Sequence, residues 1–343
     1  MLIALAASYT SIPIIISLLE SKNNEFHILT PDKNIYNFFL DLYGKNHVLY
    51  YESPNYSIFP IKLLEIVHKI KNINKHKAAA LKLINQYEKC DIYTTDIIAF
   101  CEFEFWLVKE LSKNNHIKFH PVVNVDDSIK KLNNFTKTIY EFANWFIYKT
   151  KPTACMSYQK ITFRINESYQ KQIKSESFDI EIDYYKLGKI IQEKYNLDNY
   201  KVIILSGGVV DYFVNKKNYI EITDRIISLL EKYFDKNLIA VKAHPRFQEY
   251  YSMETDLRKI PPKIPSSLLT QNFDYLIGFH SNSLVEASKV GKIVISTIKL
   301  FKLIEEENVE FDIQYLLTNM DANNPILFPQ SIEELETILD KYS

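Results

Sequence analysis

Glycine and cysteine are both scarce in this chain of 343 residues. Its 6 glycines form neither a G-x-G-x-x-G nor a G-x-x-x-x-G-K-S/T motif, which counts against a dinucleotide oxidoreductase or a P-loop enzyme. The 3 cysteines are too few for a disulfide scaffold and show no C-x-x-C spacing. Structural zinc is therefore disfavoured, and this cysteine usage is typical of a reducing compartment.

Long apolar runs and an excess of one charge are also missing. No run of about 20 apolar residues occurs, as a membrane-spanning helix would require. The N-terminus is apolar but has no basic region, so we predict a first strand there and not a signal peptide. With 41 basic and 42 acidic residues the net charge is -1, which argues against a nucleic-acid partner. We therefore expect a cytoplasmic protein.

One segment departs from this even balance of charge. Residues 62–89 carry 7 lysines against 2 glutamates and have the length of a long helix. The favoured interpretation is a solvated helix face in a lysine-rich protein. The alternative is peripheral contact with the inner face of the cytoplasmic membrane, where each lysine near anionic lipid contributes roughly 1 kcal/mol.

Short apolar runs alternate with amphipathic stretches along the whole chain. Runs at 2–7, 26–29 and 47–51, and again at 202–205, predict parallel strands with helices on both faces. We predict an α/β fold of two Rossmann-like, doubly wound domains that face a central cleft. The N-terminal domain, 1–196, is expected to bind an acceptor and the C-terminal domain, 197–343, a donor. The closing helix has two candidate packing partners, its own domain and the N-terminal one.

Ligands of such sheets lie beyond the carboxyl ends of the strands, so the candidate residues are sought there. Gly207 and Gly208 follow a strand, where they either let the backbone approach a phosphate or form an ordinary tight turn. His244 follows another strand, with Pro245 fixing the backbone and Arg246 adding a cation. An imidazole in that place can donate to a phosphate oxygen or act as a general acid.

Two more strand ends carry polar groups. Ser281, Asn282 and Ser283 stand between a strand and a helix, where they can cap the helix and also bind an anion at its N-terminus. Asp126 and Asp127 stand between a strand and a helix of the first half, where a carboxylate serves as a cap or as a general base. Neither H-E-x-x-H nor G-x-S-x-G occurs, which disfavours obligate metal catalysis and α/β-hydrolase chemistry.

Three blocks of the second half, 241–246, 264–269 and 273–284, resemble bacterial sialyltransferases of the two-Rossmann, or GT-B, type. The chain looks most like glycosyltransferase family 52 and its polysialyltransferase relatives. Those proteins carry a His-Pro motif, then an Ile-Pro segment, then a serine motif after a strand. Their first domain carries an acidic motif, which Asp126, Asp127 and Ser128 approximate. The order and spacing of the motifs match across most of the chain.

The resemblance implies an inverting transfer of sialic acid or a related nonulosonic acid from a CMP donor to a surface glycan, such as lipooligosaccharide or capsule. It implies no metal and no other cofactor. By analogy Asp126, with Asp127 beside it, would deprotonate the acceptor hydroxyl, and His244 would stabilise the departing CMP phosphate. The donor-binding residues would be Gly207, Gly208, Pro245, Arg246, Ser267, Ser281, Asn282 and Ser283.

Three departures from the family pattern bear on this assignment. Ser128 stands where the acidic motif has glycine, and Asn282 stands where the serine motif has its first serine. Ser267 occupies the place where relatives often carry a glutamate that reads the cytidine ribose. The resemblance therefore specifies the nucleotide less firmly than the fold.

Three alternatives stay open at this point. A CDP-polyol phosphate transferase also combines a His-Pro motif with serines after a strand, and His280 before those serines fits that class. A Kdo transferase is a nearer variant, because its donor is also CMP-activated. A non-catalytic relative that binds only glycan or nucleotide is the third. The oligomeric state, including a homodimer, is not specified by the sequence.

Overall fold

In the computed structural model the described residues are 1–22, 24–53, 62–95, 97–98, 102–120, 138, 141–142, 145–146, 149, 153–157, 160–164, 167–206, 214–245, 248–304 and 306–342. The chain forms two compact units, Met1–Ile182 and Asp183–Ser343. Both are built on parallel sheets with helices between the strands. Within the described ranges, no helix has the length and apolarity needed to span a bilayer.

The first unit contains nine strands and five helices among its described residues. The strands are β1 (Leu2–Leu5), β2 (Phe26–Thr30), β3 (Val48–Tyr50), β4 (Asp91–Thr95), β5 (Ile97–Ile98), β6 (His116–His120), β7 (Thr153–Ser157), β8 (Lys160–Arg164) and β9 (Glu176–Ser177). The helices are α1 (Ser11–Ser21), α2 (Lys33–Tyr43), α3 (Lys62–Ile84), α4 (Glu102–Leu111) and α5 (Glu167–Ile173). A parallel sheet has the order β3-β2-β1-β4-β6-β9, and a small antiparallel sheet has the order β5-β8-β7.

The second unit has a single five-stranded parallel sheet among its described residues, in the order β12-β11-β10-β13-β14. Its strands are β10 (Val202–Ser206), β11 (Ile239–Ala243), β12 (Arg258–Lys259), β13 (Tyr275–Gly278) and β14 (Ile293–Ser296). Its helices are α6 (Tyr184–Tyr195), α7 (Lys216–Tyr233), α8 (Asn282–Lys289), α9 (Glu306–Asn319) and α10 (Ile332–Tyr342). A short 3₁₀ turn covers Ser266–Leu269.

Helix α6 shows why the unit boundary lies earlier than the sequence-based position after residue 196. Asp183 caps this helix by accepting a hydrogen bond from the Lys186 backbone N–H at 2.9 Å. Gly188 lies so close to the 3₁₀ turn that a Cβ there would come within 2.8 Å of the Gln271 Cγ. The helix therefore packs on the second unit.

The core of the second unit follows directly from its sequence pattern. Strand β10 is apolar on both faces, as a strand covered by two helical layers must be. Helix α7 buries one stripe, which includes Ile222, Ile226 and Leu230, against this sheet. Each such side chain contributes roughly 1.5–3 kcal/mol on burial.

The closing helix α10 packs on its own unit. Its Leu335 and Leu339 are fully buried in the same core. At its surface, the Tyr233 hydroxyl donates to Asp340 at 2.5 Å, and Lys232 lies 3.4 Å from Glu336. The helix is therefore part of the core of the second unit.

Candidate functional site

The candidate site lies at the carboxyl edge of the second sheet, where the chain reverses its direction of travel across the strands. From the central strand β10 it passes to β11 and β12 on one side, then returns to β13 and β14 on the other. Ser206 is in register with Ala243, and Leu205 is in register with Gly278, so the ends of β10, β11 and β13 align. A switch point of this kind is where open parallel sheets bind their ligands.

A group of serine hydroxyls converges beside the end of β13. Ser281 is the N-cap of α8, and its Oγ accepts a hydrogen bond from the Ser283 backbone N–H at 3.2 Å. The buried Ser283 hydroxyl donates in turn to the Ser266 Oγ at 3.0 Å. Two elements distant in the sequence thus bring hydroxyls to one helix N-terminus. Hydroxyl groups and the N–H groups of a helix N-terminus together bind anions.

Helix α9 holds the residues on either side of this cap. The Tyr315 hydroxyl donates to the Asn282 Oδ1 at 2.7 Å. Burial raises the pKa of Tyr315 to about 12, so the phenol keeps the proton that it donates. On the other side, His280 Nε2 lies 3.7 Å from Asp312 Oδ1, and both side chains are buried. Burial lowers the pKa of His280 to about 4, so its imidazole is neutral at pH 7.

A buried lysine stands at the end of β11. The Lys242 side chain is 2% exposed, and its Nζ donates to the backbone oxygens of Ala243 at 3.3 Å and Pro262 at 3.4 Å. Burial lowers the pKa of Lys242 to about 7. An anion bound nearby would favour the protonated form. His244 and Pro245 follow directly and are partly exposed at the edge of the sheet.

On the face of the sheet opposite Lys242, the buried carboxyl group of Glu254 holds the end of β10 in place. Glu254 is fully buried and accepts hydrogen bonds from Ser206 Oγ at 3.0 Å, from the Tyr219 hydroxyl at 2.8 Å and from the Tyr251 backbone N–H at 3.0 Å. Burial raises the pKa of Glu254, although these three hydrogen bonds act in the other direction. The network ties β10 to α7 at the residue just before Gly207.

The structure describes some of the predicted site residues and not others. Ser281, Asn282 and Ser283 lie together at the start of α8, so the predicted helix cap is confirmed. Ser267 lies in the 3₁₀ turn beside Ser266. His244 and Pro245 follow β11, a neighbour of the central strand. Asp126, Asp127, Gly207, Gly208 and Arg246 lie outside the described residues, and so does Ser128.

Several residues of this edge do not stand out in the sequence. Lys242 carries the one available signal, because a lysine interrupts an otherwise apolar strand. The family resemblance points to Ser267, but Ser266 contacts α8, and nothing in the local sequence indicates which of the two serines does so. Glu254 and Tyr315 belong to segments with no visible motif, and only the tertiary fold brings them to the site.

No protein-family model matches the chain, and no curated protein matches it. Among solved structures, UDP-GlcNAc 2-epimerase from Methanocaldococcus jannaschii is 14% identical, with 99% of this chain and 92% of that chain covered and a TM-score of 0.46. E. coli ADP-heptose lps heptosyltransferase II is 9% identical, with 99% and 98% covered and a TM-score of 0.42. The glycosyltransferase SnogD from Streptomyces nogalater is 7% identical, with 99% and 90% covered and a TM-score of 0.50.

The likeness to SnogD extends over both units and concerns the fold. The chain has the GT-B fold, with two parallel-sheet α/β units, as the alternation of strands and helices predicts. The fold class is therefore confirmed. Since no family model matches the chain, the relation to glycosyltransferase family 52 stays a prediction.

Proposed function

We propose that this chain is a glycosyltransferase whose second unit binds a nucleotide-sugar donor and whose first unit binds a glycan acceptor. The proposal rests on a cluster of three serine hydroxyls at the N-terminus of α8, at the switch point of the sheet. They belong to Ser266, Ser281 and Ser283. A nucleotide phosphate is an anion of the size and charge that such a site accommodates. SnogD, which shares the fold, is itself a glycosyltransferase.

The donor class comes from the sequence blocks and not from the fold. The His-Pro, Ile-Pro and serine blocks resemble those of sialyltransferases, and two of them supply the hydrogen-bonded pair Ser266 and Ser283. The proposed donor is therefore a CMP-activated nonulosonic acid, and the proposed acceptor is a hydroxyl of a surface glycan. The proposed reaction needs no metal, because His244, serine hydroxyls and helix N–H groups meet the phosphate charge.

The proposed transfer is a single displacement at the anomeric carbon. The acceptor oxygen forms the new bond to that carbon while the bond from the carbon to the CMP phosphate oxygen breaks, so the configuration inverts. The acceptor proton passes to the Asp126 carboxylate. CMP leaves with the electron pair of the broken bond, and His244 donates a hydrogen bond or a proton to the phosphate. Each general acid or base contributes roughly 10²–10⁴-fold in rate.

The test is CMP release from CMP-sialic acid in the presence of EDTA. Wild type is compared with His244→Ala, Ser283→Ala and Asp126→Ala. Removal of one preorganised donor, as in Ser283→Ala, should lower turnover by about 10²–10³-fold. Asp126→Ala should reduce transfer to a glycan more than it reduces slow hydrolysis of the donor.

A matched control is Ser228→Ala, which removes an exposed serine hydroxyl from α7 of the same unit. This variant should keep wild-type turnover. Equal activity of Ser283→Ala and Ser228→Ala would show that the N-terminus of α8 does not bind the donor phosphate. CMP binding by wild type without turnover on any acceptor would instead support a non-catalytic relative.

The CDP-polyol and CMP-Kdo alternatives are tested by offering these two donors in the same assay. His280, which suggested the polyol class, is buried against Asp312 and Tyr315 of α9, directly before the serine segment 281–283. Turnover on a CDP-polyol but not on CMP-sialic acid would replace the proposed donor, and turnover on CMP-Kdo would narrow it. Either result would leave the proposed phosphate site in place.

A further inference from the structure

A cluster of aromatic side chains is exposed on the first unit. Phe142 is 61% exposed, Trp145 is 42% exposed and Phe146 is 57% exposed. Their spacing of three and four residues is helical, and the described residues among them are in helical conformation. The ring centroids of Phe142 and Trp145 are 5.9 Å apart. Aromatic side chains of this size are rarely left together in water without a partner surface.

Lysines surround these rings. The Lys149 Nζ lies 4.9 Å from the ring centroid of Trp145 and 5.4 Å from that of Phe146. The Lys109 Nζ donates to the Lys149 backbone oxygen at 2.6 Å, which brings a second ammonium group to the same place. We call Phe142, Trp145, Phe146, Lys109 and Lys149 the aromatic–lysine patch.

The lysine-rich helix α3 adjoins this patch. Burial lowers the pKa of Lys77, the charge of Glu110 raises it, and the charges of Lys149 and Lys109 lower it, so these groups are near one another. Glu110 is an acidic neighbour of Lys77, and it also pairs with Lys113. Lys77 of α3 therefore lies near the lysines of the aromatic–lysine patch.

We propose that the aromatic–lysine patch docks the first unit on an anionic phospholipid surface. Aromatic rings prefer the interface of a bilayer, and adjacent lysines are attracted to anionic headgroups. A second copy of the chain fits this surface less well, because a symmetric contact would bring lysines of both copies against each other. The proposal is independent of the proposed catalytic function.

The two tryptophans of the chain provide a direct test. Trp106 is 6% exposed in the core and Trp145 is 42% exposed in the patch, so only Trp145 should respond to vesicles. Adding phosphatidylglycerol vesicles should shift the tryptophan emission of wild type to the blue, and brominated lipid should quench it. Trp145→Phe should lose both effects. Phosphatidylcholine vesicles should produce neither.

Vesicle co-sedimentation measures the contribution of charge. At about fivefold per lysine, the double variant Lys109→Gln, Lys149→Gln should lower partitioning by about 30-fold, and added salt should act in the same direction. A matched control in the second unit is Leu238→Ser with Lys236→Gln, which changes an exposed leucine and a nearby lysine. That control should bind like wild type.

Three results would overturn the proposal. The first is equal vesicle binding by wild type and the Lys109→Gln, Lys149→Gln variant. The second is equal binding to anionic and neutral vesicles. The third is a blue shift that depends on protein concentration without vesicles, because it would assign the patch to a contact between copies of the chain.

Discussion

Replacing Tyr219 by phenylalanine removes one hydrogen bond from a buried carboxylate without removing the aromatic ring. The Tyr219 hydroxyl donates to Glu254 at 2.8 Å, and both residues are buried. The ring also stacks on Phe301 with centroids 5.7 Å apart, a contact that phenylalanine keeps. A buried acceptor that loses its hydrogen-bond partner costs about 1–3 kcal/mol, and Glu254 has no access to water that could replace the bond. We expect Tyr219→Phe to lower the free energy of unfolding by that amount.

The assay must follow the second unit separately. Both tryptophans, Trp106 and Trp145, belong to the first unit, so tryptophan fluorescence reports on that unit. Hydrogen exchange of peptides from 202–206 and 216–233 reports on the strand and helix that Glu254 joins. Tyr219→Phe should speed exchange in these peptides and leave the urea transition seen by tryptophan fluorescence in place.

Tyr233→Phe is the matched control, because it also removes a tyrosine-to-carboxylate hydrogen bond from α7. Its partner Asp340 is at the surface, where water can take over the bond. The loss of stability should therefore be clearly smaller than for Tyr219→Phe. Equal losses in the two variants would refute the argument that burial makes the Glu254 network strong.

Three further predictions concern the same sheet. Since burial raises the pKa of Glu254, the folded state binds the extra proton and stability falls as pH rises above 4.5; Glu254→Gln should abolish this slope in urea titrations. Since burial lowers the pKa of Lys242 to about 7, stability should rise from there to pH 10.5, and Lys242→Met should lack the rise. Gly278→Ala places a Cβ 3.1 Å from the Leu205 Cβ and should cost about 1–3 kcal/mol in urea unfolding.

The sequence predicts the parallel sheets well because their signal is local. The apolar run at 202–205 predicts a strand, and strand β10 spans Val202–Ser206. Buried parallel strands are short and apolar on both faces, and the helices between them have an apolar stripe. The junctions between strand and helix follow from these two periods, so the cap at Ser281 could also be predicted.

Contacts between distant segments could not be predicted in this way. Ser266 and Ser283 meet because the chain crosses from β12 back to β13, and strand order leaves no periodic trace in the sequence. The same is true of Glu254, which reaches Ser206 across 48 positions. The boundary between the compact units differs from the predicted position for a related reason, since the partner of α6 is the 3₁₀ turn at Ser266–Leu269.

The two buried charges at the end of the second sheet lie on opposite faces, and this asymmetry bears on where an anion can bind. Side chains alternate along a strand, and Leu205 and Lys242 are in register, so Lys242 lies on the face opposite Ser206. Glu254, which accepts a hydrogen bond from Ser206, therefore places a buried carboxyl group on the face covered by α7. Lys242 places an amino group on the other face, where it donates to the backbone oxygen of Pro262. Pro262 precedes the 3₁₀ turn whose Ser266 contacts Ser283 of α8. The side of Lys242 and Ser283 is thus the side that favours a phosphate.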